Sequence, residues 1–255
     1  MRLHMLRLDP DFHRVAAWGR THRVSWPEAD PGYLWHALLT ATFGALAPKP
    51  WRLVEPPRGR AHILGYVEAD KAALEDHARS FADPAAAAAI GLATLETKQM
   101  PDRFAAGRRL GFEVRLRSVV RSNLAPDGAG GRTGRVRAEI DAALHAALAA
   151  READAAAPRP EAEQIYRTWL AERLNRGGAH ADTGAMQLLW RKRAAIVRRN
   201  AERAAILVGR KGGGPDIGLA GVLEVTDETT FQATLARGVG RHRAFGFGML
   251  LLRPA

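Results

Sequence analysis

The sequence contains no cysteine and few aromatic residues, and it has no long apolar run. Without cysteine the chain can form neither a disulfide framework nor a thiolate nucleophile. No stretch approaches the roughly eighteen consecutive apolar residues that a membrane helix needs. The N-terminal residues also lack the apolar core and the cleavage site of a signal peptide. These absences predict a soluble, cytoplasmic protein with no membrane partner.

Basic residues are in excess in a chain of otherwise ordinary globular composition. Thirty-eight Lys and Arg face 27 Asp and Glu, which gives a net charge of +11. This excess favours a polyanionic partner, because cations that contact phosphates release counterions. Arginine together with alanine is also what GC-rich coding produces, so the charge alone leaves nucleic-acid binding open. The length of 255 residues allows one large or two small domains.

The first half of the chain predicts alternating strands and helices. MRLHMLRL is typical of a strand, and a polar, turn-rich stretch then extends to Asp30. Asp30 as N-cap and Pro31 as first residue predict a helix. Its predicted core residues are Leu34, Leu38, Ala41 and Ala45. The strands WRLVEP and AHILGYVEA, the helix DKAALEDHARSF capped by Asp70, and the strand RRLGFEVRLRSVV follow. This is the order of a ferredoxin-like unit, although its last strand could instead open the second half.

The second half repeats this layout around an alanine-rich insertion at 137–160. PRPEAEQIYRTWLAERLNRGG predicts a helix with Ile165, Trp169 and Leu170 inward. A strand or hairpin (AMQLLWRKRAAIVRRN), a loop (GRKGGGPDIG), a strand (LAGVLEVT), a helix from Asp227 to about Arg237 and a closing strand (MLLLR) follow. We therefore expect an α+β protein of two tandem ferredoxin-like (RRM-like) domains, at residues 1–108 and 109–255.

A glycine-rich, basic segment, GVGRHRAFGFG at 238–248, lies just before the last strand; we call it the glycine loop. It follows a helix and precedes a strand, which is the reverse of a dinucleotide-binding motif, and it lacks the Lys-Ser/Thr of a P-loop. Glycines let backbone amides approach an anion, and Arg241 and Arg243 add positive charge. Gly238 alone is more simply a helix C-cap. The whole loop favours an anion-binding role.

The glycine loop before an apolar C-terminal strand resembles that of the RAMP superfamily, and most closely that of the CasE family. GVLEVTDETTFQATLARGVG and RRLGFEVRLR extend the likeness, whereas residues 9–30 and the alanine-rich insertion lie outside it. CasE proteins are type I-E CRISPR endoribonucleases that process precursor crRNA without metal or cofactor. The resemblance implies a CRISPR repeat stem-loop as substrate, a monomer on its own, and partnership with other subunits of the surveillance complex.

The resemblance also implies a catalytic histidine on the first helix of this family, often preceded by a tyrosine. In GYLWHALL, Tyr33 and His36 share one helix face, which Thr40 continues. Histidine can take the proton of an RNA 2′-hydroxyl or give one to the leaving 5′-oxygen. The expected products are a 2′,3′-cyclic phosphate and a 5′-hydroxyl. The other N-terminal histidines, His4, His13 and His22, match no metal-ligand spacing.

Basic residues between Met186 and Lys211 are the predicted contact with the RNA duplex, because a single acid, Glu202, lies among them. Arginines there would read mostly phosphates and shape. With the basic loop near 121–135 and the glycine loop, the predicted RNA-binding residues are Arg121, Arg132, Arg135, Arg191, Lys192, Arg193, Arg198, Arg199, Gly238, Gly240, Arg241, His242, Arg243, Gly246 and Gly248.

Two other functions remain open at this point. A non-catalytic RAMP-type subunit that only binds crRNA would share the fold, the charge and the glycine loop, but it would not need the Tyr33–His36 pair. A general single-stranded nucleic-acid binder usually stacks bases on several exposed aromatic residues. An aromatic content of 7% argues against that class.

Overall fold

The computed structural model describes residues 2–24, 29–122, 138–199, 205–208 and 213–255. The helices are α1 (Phe12–Thr21), α2 (Gly32–Phe43), α3 (Lys71–Phe81), α4 (Pro84–Ala89), α5 (Ala142–Ala153), α6 (Ala162–Arg176) and α7 (Glu228–Arg237). The strands are β1 (His4–Leu8), β2 (Trp51–Val54), β3 (His62–Val67), β4 (Glu96–Gln99), β5 (Arg109–Leu116), β6 (Val119–Ser122), β7 (Ala138–Asp141), β8 (Ala179–His180), β9 (Gln187–Ala194), β10 (Ile196–Arg199), β11 (Ala205–Val208), β12 (Gly214–Val225) and β13 (Leu250–Pro254).

The first sheet has the strand order β2-β3-β1-β4, and all its neighbours are antiparallel. Leu6 and Leu8 of the central strand β1 are fully buried and pack with Leu38 and Leu39 of α2. Residues three to four positions apart lie on the same side of a helix, so the apolar positions of α2 together face the sheet. The order is that of a ferredoxin-like unit, as the sequence predicts, and it fixes one face of α2 against the core.

Residues 9–30 contain a helix, α1, so the prediction of a polar, turn-rich stretch is wrong there. The Asp11 carboxylate caps this helix by accepting from the backbone N–H groups of His13 and Arg14. Only Val15, Trp18 and Gly19 of α1 are buried. With so few buried positions, the apolar residues of α1 do not recur often enough to show a helical period in the sequence.

The second helix, α2, begins at Gly32 with Pro31 at the N-cap, so the predicted N-cap at Asp30 is one residue early. The Asp30 carboxylate nevertheless accepts from the Gly32 N–H at 2.9 Å. The helix ends at Phe43, and Ala45 beyond it is exposed rather than part of the core. Leu34 and Leu38 are buried as predicted.

The second sheet has the strand order β13-β5-β12-β8, with β9 also paired to β12. The inward side chains of β5, which are Leu110, Phe112, Val114 and Leu116, are at most 5% exposed. This strand therefore opens the second sheet, the alternative left open by the sequence, and β4 closes the first. The fold is thus α+β with two ferredoxin-like units in tandem, and the boundary at residue 108 stays a prediction.

Other elements of the second half fit the predictions with two refinements. Trp169 and Leu170 of α6 are buried, and Ile165 packs on the same core. The segment at 187–199 forms two strands, but β10 pairs with β11 rather than with β9. Strand β12 begins at Gly214, so the part of the predicted loop at 214–218 is strand; residues 209–212 lie outside the described residues.

The alanine-rich insertion contains β7 and α5. None of the helices that the structure describes has the length and apolar character to cross a membrane.

Candidate active site

Tyr33 and His36 lie on one face of α2, as their spacing predicts. Their ring centroids are 6.4 Å apart, and the Thr40 hydroxyl lies 3.5 Å from His36 Nδ1. Leu34, Trp35 and Leu38 turn away from this face into the core, which leaves Tyr33 and His36 only half-buried. The helix thus presents an imidazole and a phenol side by side at its surface.

Phe245 of the glycine loop covers these two rings. Its centroid is 5.4 Å from that of His36, edge to face, and 6.2 Å from that of Tyr33. The loop reaches α2 because Gly32 has no side chain: a Cβ there would stand 2.5 Å from the Phe245 carbonyl oxygen. The structure therefore brings the C-terminal glycine loop against the helix that carries His36.

The surroundings of His36 favour the neutral imidazole. Burial lowers the pKa of His36 below its ordinary value of 6.5, and the positive charge of Lys49 lowers it further. At neutral pH the ring is therefore a proton acceptor. Lys49 itself is exposed. Sequence patterns do not find Lys49, because it belongs to the connection between α2 and β2 and reaches His36 only through the fold.

The polar side chains of the glycine loop are engaged within the protein. Arg241 lies 2.7 Å from one carboxylate oxygen of Glu139, and His242 Nε2 lies 2.9 Å from the other. Arg243 donates to the Arg237 carbonyl at the end of α7, at 2.6 Å. These contacts within the protein therefore hold the shape of the loop.

The glycines of the loop also have internal roles. Gly240 has φ +78°, and a Cβ there would stand 2.8 Å from the Trp169 ring. The Gly238 N–H donates to the Thr234 carbonyl, and the Gly248 N–H donates to the Arg115 carbonyl. These two amides are therefore not offered to an anion, contrary to the idea that the loop amides as a set would bind one. Gly238 ends α7, as the simpler interpretation of that residue predicts, and Gly246 has φ +83°.

The three predicted RNA contacts on β9 are exposed but divide between the two faces of the strand. Arg191 lies over the Tyr166 ring at 5.5 Å, whereas Lys192 lies 3.6 Å from the Asp216 carboxylate on the other side. Arg193 donates to the Gly213 carbonyl at 2.7 Å. Alternation along a strand causes this division, so the three do not form one basic stripe.

The remaining predicted RNA contacts outside the glycine loop do not belong to β9. Arg121 is exposed on β6 and is paired in register with Glu139 of β7. Arg198 and Arg199 belong to β10, but their side chains are not among those described. Arg132 and Arg135 lie outside the described residues.

A buried ion cluster that the sequence did not reveal lies beneath the start of α2. Arg115 donates to both oxygens of Asp216, at 3.0 and 2.7 Å, and to Asp30 at 2.5 Å. Burial acts to raise the pKa of Asp216, but the hydrogen bonds and charge of Arg115 hold it below its ordinary value. Burial likewise acts to lower the pKa of Arg115, and the two carboxylates raise it. Arg115 and Asp216 are therefore both charged at neutral pH.

Comparison with known proteins agrees with this architecture of two ferredoxin-like units. The family model described as CRISPR associated protein matches residues 3–254. The chain therefore belongs to this family of CRISPR-associated proteins. No curated protein matches it.

Solved structures show the same fold over the whole chain. Thermus thermophilus Cse3, bound to an RNA representing a pre-cleavage complex, is 20% identical with a TM-score of 0.60, and the match covers 100% of both chains. A CRISPR endoribonuclease Cse3 bound to a 19-nucleotide RNA is 23% identical, with a TM-score of 0.60 and the same coverage. Escherichia coli K-12 Cas6e is 17% identical, with a TM-score of 0.52 and again full coverage of both chains.

Proposed function

We propose that this CRISPR-associated protein is an endoribonuclease that cuts the repeat stem-loop of precursor crRNA. The observation that carries the proposal is His36, half-buried beneath Phe245 of the glycine loop, with Tyr33 beside it. A protein that only binds RNA does not need a histidine and a tyrosine held side by side beneath this loop. Family membership and the likeness to CasE proteins supply the substrate class.

The proposed cleavage uses the RNA's own 2′-hydroxyl. His36 takes the hydroxyl proton at Nε2, in the tautomer in which Nδ1–H faces the Thr40 hydroxyl oxygen as donor. The 2′-oxygen then forms a bond to the adjacent phosphorus while the bond from phosphorus to the 5′-oxygen breaks. The leaving oxygen takes a proton from water, and the imidazolium later returns its proton to solvent. The products are a 2′,3′-cyclic phosphate and a 5′-hydroxyl.

Lys49 and Tyr33 would assist this step in different ways. The Lys49 ammonium lies close enough to affect the His36 pKa, so it can also stabilise the extra negative charge on the phosphorane. Tyr33 stacks with Phe245 and bounds the side of the site where the nucleotide would enter. The reaction proposed here involves no metal ion or cofactor.

The duplex part of the stem-loop would lie along β9, with Arg191 and Arg193 at phosphates. Both side chains are exposed, and phosphate contacts of this kind supply affinity without reading bases. Arg121, which is exposed on β6, is a further proposed phosphate contact. We further propose that the cut stem-loop stays bound and that the protein joins the CRISPR surveillance complex, as the CasE resemblance implies.

A histidine substitution tests the assignment. His36→Ala should bind a CRISPR repeat stem-loop as wild type does but should not cut it, even after prolonged incubation with excess chelator. His13→Ala, which removes an exposed helical histidine elsewhere, is the matched control and should cut normally. Product ends are read by phosphatase and kinase treatment.

Each outcome of this experiment is informative. Undiminished cutting by His36→Ala would overturn the catalytic assignment. Binding without cutting by the wild-type protein would favour the non-catalytic crRNA-binding subunit. Cutting of an RNA with a 2′-deoxy sugar at the cleavage nucleotide would refute attack by the 2′-hydroxyl.

A further inference from the structure

We infer that Arg115 is a positioning residue that fixes the helix of His36 and the glycine loop against each other. This inference rests on the proposed RNA cleavage and assigns it a residue outside the site itself. Arg115 lies on β5 of the second sheet, whereas His36 lies on a helix that packs on the first sheet. The two parts of the site must therefore be held in register across the junction of the sheets.

The side chain of Arg115 reaches the start of α2 through Asp30. Its guanidinium donates to the Asp30 carboxylate, which also accepts the Gly32 N–H at the first turn of the helix. The Asp30 side chain is only 9% exposed, and that of Asp216, the second partner of Arg115, is fully buried. Buried ion pairs with satisfied hydrogen bonds tolerate little displacement, because losing one partner leaves an uncompensated charge.

The same residue holds the end of the glycine loop. Its guanidinium lies 4.2 Å from the centroid of the Phe247 ring, and its carbonyl accepts the Gly248 N–H at 2.7 Å. Phe247 follows closely after Phe245, the residue that covers His36. Arg115 therefore contacts both segments that build the site: the helix start before Tyr33 and His36, and the loop end after Phe245.

A third connection leads from this cluster to the predicted RNA-binding strand. The Asp30 N–H donates to the Ala195 carbonyl, just after β9, at 2.7 Å. Trp190 and Lys192 of β9 both lie against the Asp216 carboxylate, at 3.2 and 3.6 Å. RNA held on β9 would thus be placed relative to His36 through Asp30 and Asp216. A misplacement of about 1 Å is enough to cost two orders of magnitude in rate.

The test compares rate, affinity and stability in two variants. Asp30→Asn keeps an oxygen for the Gly32 N–H but loses the ion pair, and Arg115→Lys keeps the charge but cannot hold both carboxylates and the Phe247 ring. We expect the single-turnover rate constant to fall about tenfold or more in each. The Kd for a 2′-deoxy, uncleavable stem-loop should not change. Asp76→Asn, in an exposed ion pair with Arg79 on α3, is the control and should behave as wild type.

A merely structural role would give a different result. It would lower the Tm and the amplitude of cleavage, because fewer molecules are folded, but the folded ones would cut at the wild-type rate constant. That result, or an unchanged rate constant in Asp30→Asn, would overturn the inference.

A second readout does not depend on cleavage. The imidazole proton resonances of His36 can be identified by their loss in His36→Ala. Because the Phe245 ring lies 5.4 Å away, its ring current should shift them, and they should move in Asp30→Asn but not in Asp76→Asn. If they move while the wild-type protein fails to cut repeat RNA, the proposed function fails and the positioning role stands. If wild type cuts, but Asp30→Asn leaves both the resonances and the rate unchanged, the positioning role fails and the function stands.

Discussion

Replacing Gly248 by alanine should disturb the site through the backbone of the glycine loop alone. Gly248 has φ +79°, and a Cβ built there would stand 2.2 Å from the Val239 carbonyl oxygen. A backbone oxygen cannot rotate away as a flexible side chain can, so one segment of the loop must move. The Val239 N–H also donates to the Gly248 carbonyl at 2.8 Å, and this hydrogen bond would be strained by the movement.

A second glycine allows the expected loss of folding stability to be separated into a backbone conformational part and a hydrogen-bond part. An L-residue in the left-handed region costs about 1–2 kcal/mol. Loss of the Val239–Gly248 hydrogen bond adds about 0.5–1.5 kcal/mol. Gly107 has nearly the same φ, +81°, but nothing lies within 4 Å of its added Cβ. Gly107→Ala should therefore pay only the conformational cost, and the stiffening of the unfolded chain is the same in both variants.

Thermal unfolding and single-turnover cleavage together decide this prediction. Each kcal/mol lowers the Tm of a chain of this size by about 2–4 °C, so Gly248→Ala should melt several degrees below Gly107→Ala. Gly248→Ala should also cut repeat RNA more slowly, because the loop carries Phe245 to His36, whereas Gly107→Ala should cut at the wild-type rate. Equal melting temperatures, or equal rates, would refute the reasoning.

Two further predictions concern the pKa of His36 and the RNA surface. Phe245→Ala should expose His36 and raise its pKa towards 6.5. The acid limb of the cleavage pH profile and the NMR titration of the imidazole should then both move to higher pH. A shift to lower pH would contradict burial as the main cause of the lowered pKa. The double variant Arg191→Gln, Arg193→Gln should flatten the dependence of log K on log salt by about 0.7–0.9 per lost phosphate contact. Arg79→Gln on α3 is its control, and an unchanged slope would exclude β9 as the phosphate contact.

Local patterns in the sequence predict much of the fold and the central pair of the site. Alternation identifies β5, and helical spacing places Tyr33 and His36 on one face, since each pattern spans only a few residues. The sequence pattern does not predict helix α1, because few of its residues are buried. The sequence does not predict the ion cluster of Arg115, Asp30 and Asp216, for a different reason. They meet only when the two sheets and the start of α2 come together, and no local spacing records that event.

The arrangement of charge around the glycine loop changes how the net charge of +11 should be interpreted. Glu139 pairs with both Arg241 and His242, and its side chain is only 15% exposed. A phosphate that reached Arg241 would have to compete with a carboxylate already in place, so Arg241 would contribute less to the proposed RNA affinity than its charge suggests. Arg191 and Arg193 remain exposed, and a phosphate could reach them without displacing a buried acid. We therefore propose different roles for the two sets of residues: the exposed cations on β9 would attract RNA, whereas the engaged side chains of the loop hold the segment that carries Phe245 to His36.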